Sequence, residues 1–209
     1  KMITPNFIGI AGGTASGKST IAKKLYNYYG SSNAIIIDQD SYYKDNNLSL
    51  SNREIRNYDH PDSIDIELLY SNLIELKNNN SIMKPVYNFS THARNSKFKA
   101  IKPKKIIIVE GTLLFHFKQL TKLMFLKVFM KTPNKIRFKR RLNRDIVERG
   151  RDKKSIKKQY ERTVYPMHKK FIEPSMNIAD LILPGTLNIE SSLQKLTKFI
   201  DSILLKDKK

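Results

Sequence analysis

Short apolar runs alternate along this chain with longer stretches in which apolar positions recur every three or four residues. The first run, Phe7–Ala11, leads straight into glycines and reads as a buried strand. Ala34–Asp38, Lys105–Val109 and Phe125–Met130 have the same character, and Leu181–Leu183 is a shorter fifth. Helical spacing covers Ser19–Tyr29, Glu67–Lys77 (through Leu68, Leu69, Leu73 and Leu76), Pro133–Val147, Ile156–Thr163 and Ser191–Leu205. Strands that are apolar on both faces and alternate with helices predict an α/β fold of three layers: a five-stranded, mostly parallel sheet with helices on both faces. Between residues 83 and 101 the pattern changes. Pro85–Tyr87 and Lys97–Ile101 flank the polar run FSTHARNS, which predicts a β-hairpin insertion. Asn46–Asn57 reads as a mobile polar loop and Asn78–Asn80 as a turn. With no repeat and no long linker, residues 1–209 read as one domain.

The glycines after the first strand belong to a motif. Gly12, Gly13, Thr14, Ala15, Ser16, Gly17, Lys18 and Ser19 fit G-x-x-x-x-G-K-[ST], and Thr20 opens the helix behind them. A loop that turns successive N–H groups inward onto a phosphate needs glycine, and the following helix adds unpaired amides and the positive end of its dipole. Lys18 is placed to neutralise the β- and γ-phosphates of a nucleoside triphosphate, and the Ser19 hydroxyl to ligate Mg2+. The flanking strand and helix are the context this P-loop NTPase-type fold requires.

Two acids stand where strands end, the place at which such sheets bind ligands. Asp40 follows Ala34–Asp38 and suits the carboxylate that receives a proton from an acceptor hydroxyl. Glu110 follows Lys105–Val109 and suits the neighbourhood of Mg2+. Asp38 competes with Asp40 for the first role.

Composition adds charge and subtracts chemistry. There is no cysteine, so disulfides, thiolate nucleophiles and cysteine-zinc sites are excluded. No apolar run nears the roughly 20 residues that cross a bilayer, and no leader pattern opens the chain, which reads as soluble and cytoplasmic with no membrane partner. The formal charge of +20 is spread mostly as single or paired lysines, which favours attraction to nucleotides over a dedicated nucleic-acid surface. Only residues 135–151 are dense in cations, and Arg137–Arg141 by itself reads as a solvated helix face. His60, His116 and His168 have no metal-ligand spacing and receive no role.

Several segments then converge. The P-loop GGTASGKS is followed by DQDSYY (38–43), NYDHPDSID (57–65), PVYNFSTHAR (85–94), VEGTLLF (109–115), RRLNRDIVERGRD (140–152) and QYERTVYPMHKKFIEPSMNIADLILP (159–184). In this order, over nearly the whole chain, they resemble the uridine kinase (uridine–cytidine kinase) family. The resemblance implies transfer of the γ-phosphate of ATP or GTP to the 5′-hydroxyl of uridine or cytidine with Mg2+, in a homo-oligomer, commonly a tetramer. It implies that Asp40 is the general base and that Ser19, Glu110 and Asp40 organise Mg2+. Tyr43, Tyr58, Asp59, Tyr87, Phe89, His92, Arg141, Arg151 and Gln159 match nucleoside-contacting positions. Arg144 and Arg149 match positions over the triphosphate, so residues 140–160 become a lid and their charge acquires a catalytic use. Asp59 then accepts hydrogen bonds from sugar hydroxyls, His92 and Tyr87 reach the base edge, and a histidine that can change tautomer suits both uracil and cytosine. The chain departs from the family pattern at Asn88 (usually Asp), at FMKTPNKIRF (usually an acidic stretch), at Thr112 (usually aliphatic) and at PGTLN. Phosphoribulokinase- or pantothenate-kinase-like enzymes are alternatives that share the core. A basic RNA-binding protein with a degenerate P-loop is opposed by the intact Lys18, Ser19, Asp40 and Glu110.

Overall fold

The computed structural model of the chain describes residues 4–44, 56–89, 91 and 93–206. Its main sheet is β1 (Asn6–Gly12), β2 (Ala34–Asp38), β5 (Ile106–Gly111), β6 (Leu126–Lys131) and β7 (Leu181–Pro184), in the spatial order β2-β5-β1-β6-β7. Every pairing in it is parallel. Alternation along each central strand divides the core between the two faces. Phe7, Ala11, Ile107, Val109 and Phe129 point to one side; Ile8, Ile10, Ile106, Ile108 and Val128 point to the other. This is why those strands read as unbroken apolar runs.

On the second face lie α1 (Lys18–Tyr29) and the C-terminal helix α6 (Ile189–Lys206), which bury Ile21, Leu25, Leu196 and Ile200. On the first face lies α2 (Ile66–Lys77), capped by the Asp65 carboxylate on the Leu68 amide, with Leu69, Leu73 and Leu76 inward. A short helix, α3 (Lys118–Thr121), precedes β6.

After β6 the chain enters α4 (Asn134–Val147), whose buried stripe is Arg137, Arg141 and Asp145. The spacing of four is that of an inward face, but the side chains are charged. The expectation of a solvated face for Arg137–Arg141 is therefore corrected at its two ends, where Arg137 is 2% and Arg141 8% exposed, while Lys139 and Arg140 between them are exposed. Next comes α5 (Lys153–Gln159), capped by Asp152 on the Ser155 amide. Its path does not continue as a regular helix. The Tyr165 amide bonds back to the Tyr160 carbonyl and the Glu173 amide to the His168 carbonyl, five residues each, on either side of Pro166. A proline inside a helical path removes a donor and crowds the preceding turn, and the widened turns absorb both.

The inserted hairpin is present and longer than its apolar arms suggested: β3 (Ile82–Asn88) pairs antiparallel with β4 (Ala93–Ile101), with a register shift between Pro85 and Tyr87. It forms its own two-stranded sheet and packs through β3 on the turn Gln39–Tyr42 that follows β2. Most of the polar run 46–57 lies outside the described residues.

Candidate active site

The P-loop is built by backbone geometry. Gly12 has φ 151° and Gly17 φ 100°, values that favour glycine, and Ala15 alone in the loop carries a side chain at positive φ (55°). Gly17 caps α1 without any side-chain bond, and no acid stands in the first turn, so the helix presents open amides to an anion. The loop is braced from behind. Thr132 Oγ1 donates to the Ser16 carbonyl at 2.9 Å, and a Cβ on Gly185 would meet those same two groups at 2.1 and 2.2 Å. A Cβ on Gly13 would lie 2.5 Å from Arg137 Nη1 and 2.8 Å from His168 Nδ1. Neither Gly185 nor His168 had been assigned a role from sequence.

Burial and the Arg137 cation hold the His168 pKa down to about 4, with Glu173 opposing and Lys169 reinforcing. The unfolded histidine takes up a proton below its ordinary 6.5 and the folded one resists until about 4. Stability is therefore lost as pH falls through that window, by at most about 3 kcal/mol. His168→Phe is expected to flatten this part of the acid limb. Denaturation midpoints of parent and variant at pH 7, 5.5 and 4 check it; parallel curves would remove His168 as a source of the slope.

Beyond the loop, Ser19 Oγ donates to Glu110 Oε1 at 2.9 Å, and Glu110 Oε2 is buried with no hydrogen-bond partner among the described residues. Burial raises the Glu110 pKa against the pull of Lys18, and Asp40 raises it further. Geometry separates Asp38 from Asp40. The Asp38 carboxylate accepts from the Ser41 amide (3.1 Å), the Ser41 hydroxyl and Lys84, whereas Asp40 lines a cavity of about 80 Å3.

That cavity gathers the expected catalytic residues and all the described nucleoside-contacting ones, whereas Ser19, Glu110 and the loop glycines do not line it. Thr14 and Lys18 enter from the P-loop, and Tyr43, Tyr58, Asp59, Tyr87 and Phe89 from the opposite side. Arg141, Arg144, Arg149, Arg151 and Gln159 come from α4 and the segment after it, and Thr112 from the end of β5. The tyrosines form a wall: Tyr43 stands 5.3 Å from Tyr58 and 5.2 Å from Tyr87, and Tyr87 5.2 Å from Phe89. Burial raises the Asp59 pKa, opposed by Arg141 and reinforced by Asp40. Thr20 lies exposed on α1, beyond the cradle, and His92 lies outside the described residues. A larger cavity of about 210 Å3 opens beside Gly13, Pro133 and Met176, but neither Lys18 nor Asp40 faces it.

One residue organises these arginines, and sequence reasoning missed it. Asp145 is fully buried, and its carboxylate meets Arg141, Arg144, Arg149 and Arg151 at 3.4, 2.8, 3.5 and 3.5 Å. Its spacing of four from Arg141 and from Arg149 was the available signal. Arg141 also donates to Thr14 Oγ1 (3.1 Å) and, with Arg151, to Gln159 Oε1 (3.0 and 2.8 Å). The arginine cluster is thus tied to the P-loop, and Arg149 lies 4.5 Å over the Phe89 ring of the hairpin.

A phosphate cradle facing carboxylates and arginines across one small cavity defines a P-loop kinase. The model of the phosphoribulokinase / uridine kinase family matches residues 7–189, and the chain belongs to that family. The uridine kinase of Clostridium perfringens is 47% identical over 184 residues, 88% of each chain. That of Clostridium novyi is 42% identical over 208 residues, 99% of this chain and 100% of the other. The solved phosphoribulokinase of Rhodobacter spheroides shares the fold, with a TM-score of 0.63 at 14% identity over 87% of this chain and 70% of that one.

Proposed function

We propose that the chain is a uridine/cytidine kinase: it transfers the γ-phosphate of ATP or GTP to the 5′-hydroxyl of uridine or cytidine, giving UMP or CMP. The observation that carries the reading is the cavity holding Lys18 and Thr14 on one side and Asp40, Asp59 and the tyrosine wall on the other. Asp40 takes the proton from the 5′-hydroxyl. Asp59 accepts hydrogen bonds from the sugar, Tyr43, Tyr58, Tyr87 and Phe89 enclose the base, and His92 completes the base edge. Lys18, Arg144 and Arg149 follow the charge on the moving phosphoryl group.

Mg2+ fits the donor set at Ser19 and Glu110, because the unpartnered Glu110 Oε2 lies there beside a hydroxyl, with Asp40 near. Among the described residues no group of three or more His, Asp or Glu gathers, which suits an ion held chiefly by phosphates and water with one or two protein ligands. Bound there, Mg2+ would neutralise the donor's phosphates. No helix among the described residues is long and apolar enough to cross a membrane. The reading takes 1–209 as one kinase domain, with hairpin 83–101 and lid 140–160, working as a cytoplasmic homo-oligomer, a tetramer by family resemblance.

A coupled ADP-release assay tests the function over uridine, cytidine, other nucleosides, ribulose 5-phosphate and pantothenate. Turnover with uridine and cytidine is expected. None with either, in folded protein with Mg-ATP, would sink the reading.

A further inference from the structure

Lys84 lies on β3 and points inward, its side chain 11% exposed. Its Nζ donates to Asp38 Oδ1 and to Ser41 Oγ, the latter at 2.7 Å. These partners stand on either side of Asp40: Asp38 ends β2, and Ser41 follows Asp40 in the turn Gln39–Tyr42. Asp38 closes the ring by accepting from both the amide and the hydroxyl of Ser41. The backbone carrying Asp40 is therefore enclosed by three mutually bonded side chains, one of which belongs to the hairpin.

The same strand carries Tyr87 into the cavity. Residues three apart on a regular strand face opposite ways; the register shift between Pro85 and Tyr87 turns both Lys84 and Tyr87 toward the site. A second tie comes from β4, where Arg94 Nη2 donates to the Tyr42 carbonyl (3.2 Å) and to Asp65 (3.0 Å). Burying an ammonium for stability alone gains little, since an apolar side chain of similar volume serves as well or better. What the ion pair adds is a fixed register.

We infer that Lys84 is a positioning residue: by bonding Asp38 and Ser41 around Asp40, it sets the nucleoside-binding hairpin and the proton-accepting carboxylate in one frame. The inference rests on the reading of Asp40 as the base. When the tie is cut, the hairpin still binds the nucleoside and the P-loop still binds ATP, but the 5′-hydroxyl and Asp40 lose alignment. A misplacement of about 1 Å costs up to about 100-fold in rate.

The test compares Lys84→Met, Asp38→Asn/Lys84→Met and Asp40→Asn with the parent, reading kcat, KM for uridine and for ATP, and the melting midpoint. Lys84→Met is expected to lower kcat roughly 10- to 100-fold with KM for ATP unchanged. The double variant leaves no unpaired carboxylate, so it is expected to melt like the parent while keeping the kcat defect. It therefore decides the matter even where the single variant folds poorly. Parental kcat in the double variant overturns the inference, because Lys84 would then only neutralise Asp38. So does a rise in KM for ATP equal to the fall in kcat, which marks general loosening. Parental kcat in Asp40→Asn removes the base reading instead, whereas an inactive Asp40→Asn beside a fully active Lys84→Met removes only the role of Lys84.

Discussion

Asp40→Asn is expected to lower kcat for uridine by about 10^2- to 10^4-fold, the usual worth of a positioned general base, while ATP binding stays close to parental. Asparagine keeps the size and hydrogen-bonding shape of the side chain but cannot hold the proton at neutral pH. The expectation is sharp because the nearest rival is occupied: Asp38 is spent on Ser41 and Lys84. Asp38→Asn should therefore cost less, acting only through the turn. Asp40 also stands beside the Ser19–Glu110 pair and shares its field, so the rates are to be taken at saturating Mg2+. Steady-state kinetics and calorimetric titration with a non-hydrolysable ATP analogue check both halves. If Asp40→Asn keeps its rate while Asp38→Asn loses it, the two assignments exchange.

The parts legible in the sequence were those whose cause is local. Parallel strands buried on both faces must be apolar throughout, so β1, β2, β5 and β6 stood out as runs. The P-loop was legible because its geometry demands glycine at fixed offsets, and Asp40 and Glu110 because strand ends are where such sheets work. The hidden parts depend on partners far away in the chain. Arg137 reads as a surface cation; it is buried because its Nε reaches the Thr132 carbonyl and its guanidinium packs against Gly13. Nothing local in the sequence marks Lys84 or Arg94; their partners Asp38, Ser41 and Tyr42 come from β2 and the turn after it. The constraint on Gly185 comes from Ser16, in the loop after β1, a strand two places away from β7. A hydrophobicity pattern cannot register any of these, because the buried atoms are charged or absent.

The largest structural effect is expected at Asp145, where one buried carboxylate holds four arginines. Its single negative charge cannot balance four positive ones. The surplus faces the cavity containing Lys18, where a bound polyphosphate would supply the missing charge. Asp145→Ala leaves partly buried guanidiniums without their shared, fully buried acceptor. Breaking a buried pair in this way costs about 3–5 kcal/mol. The lid arginines would then repel one another, and Arg144 and Arg149, freed from their anchor, would no longer converge on the phosphoryl group; arginines in that role are worth roughly 10^3-fold or more. The variant should therefore melt lower and turn over slowly even where it is folded. The arrangement also predicts a sign that simple loss of packing does not. A triphosphate replaces part of the lost negative charge, so ATP should raise the melting midpoint of Asp145→Ala by more than it raises that of the parent. Calorimetric melts with and without Mg-ATP measure the difference. An equal rise in both proteins would mean that Asp145 secures the helix alone and not the arginines.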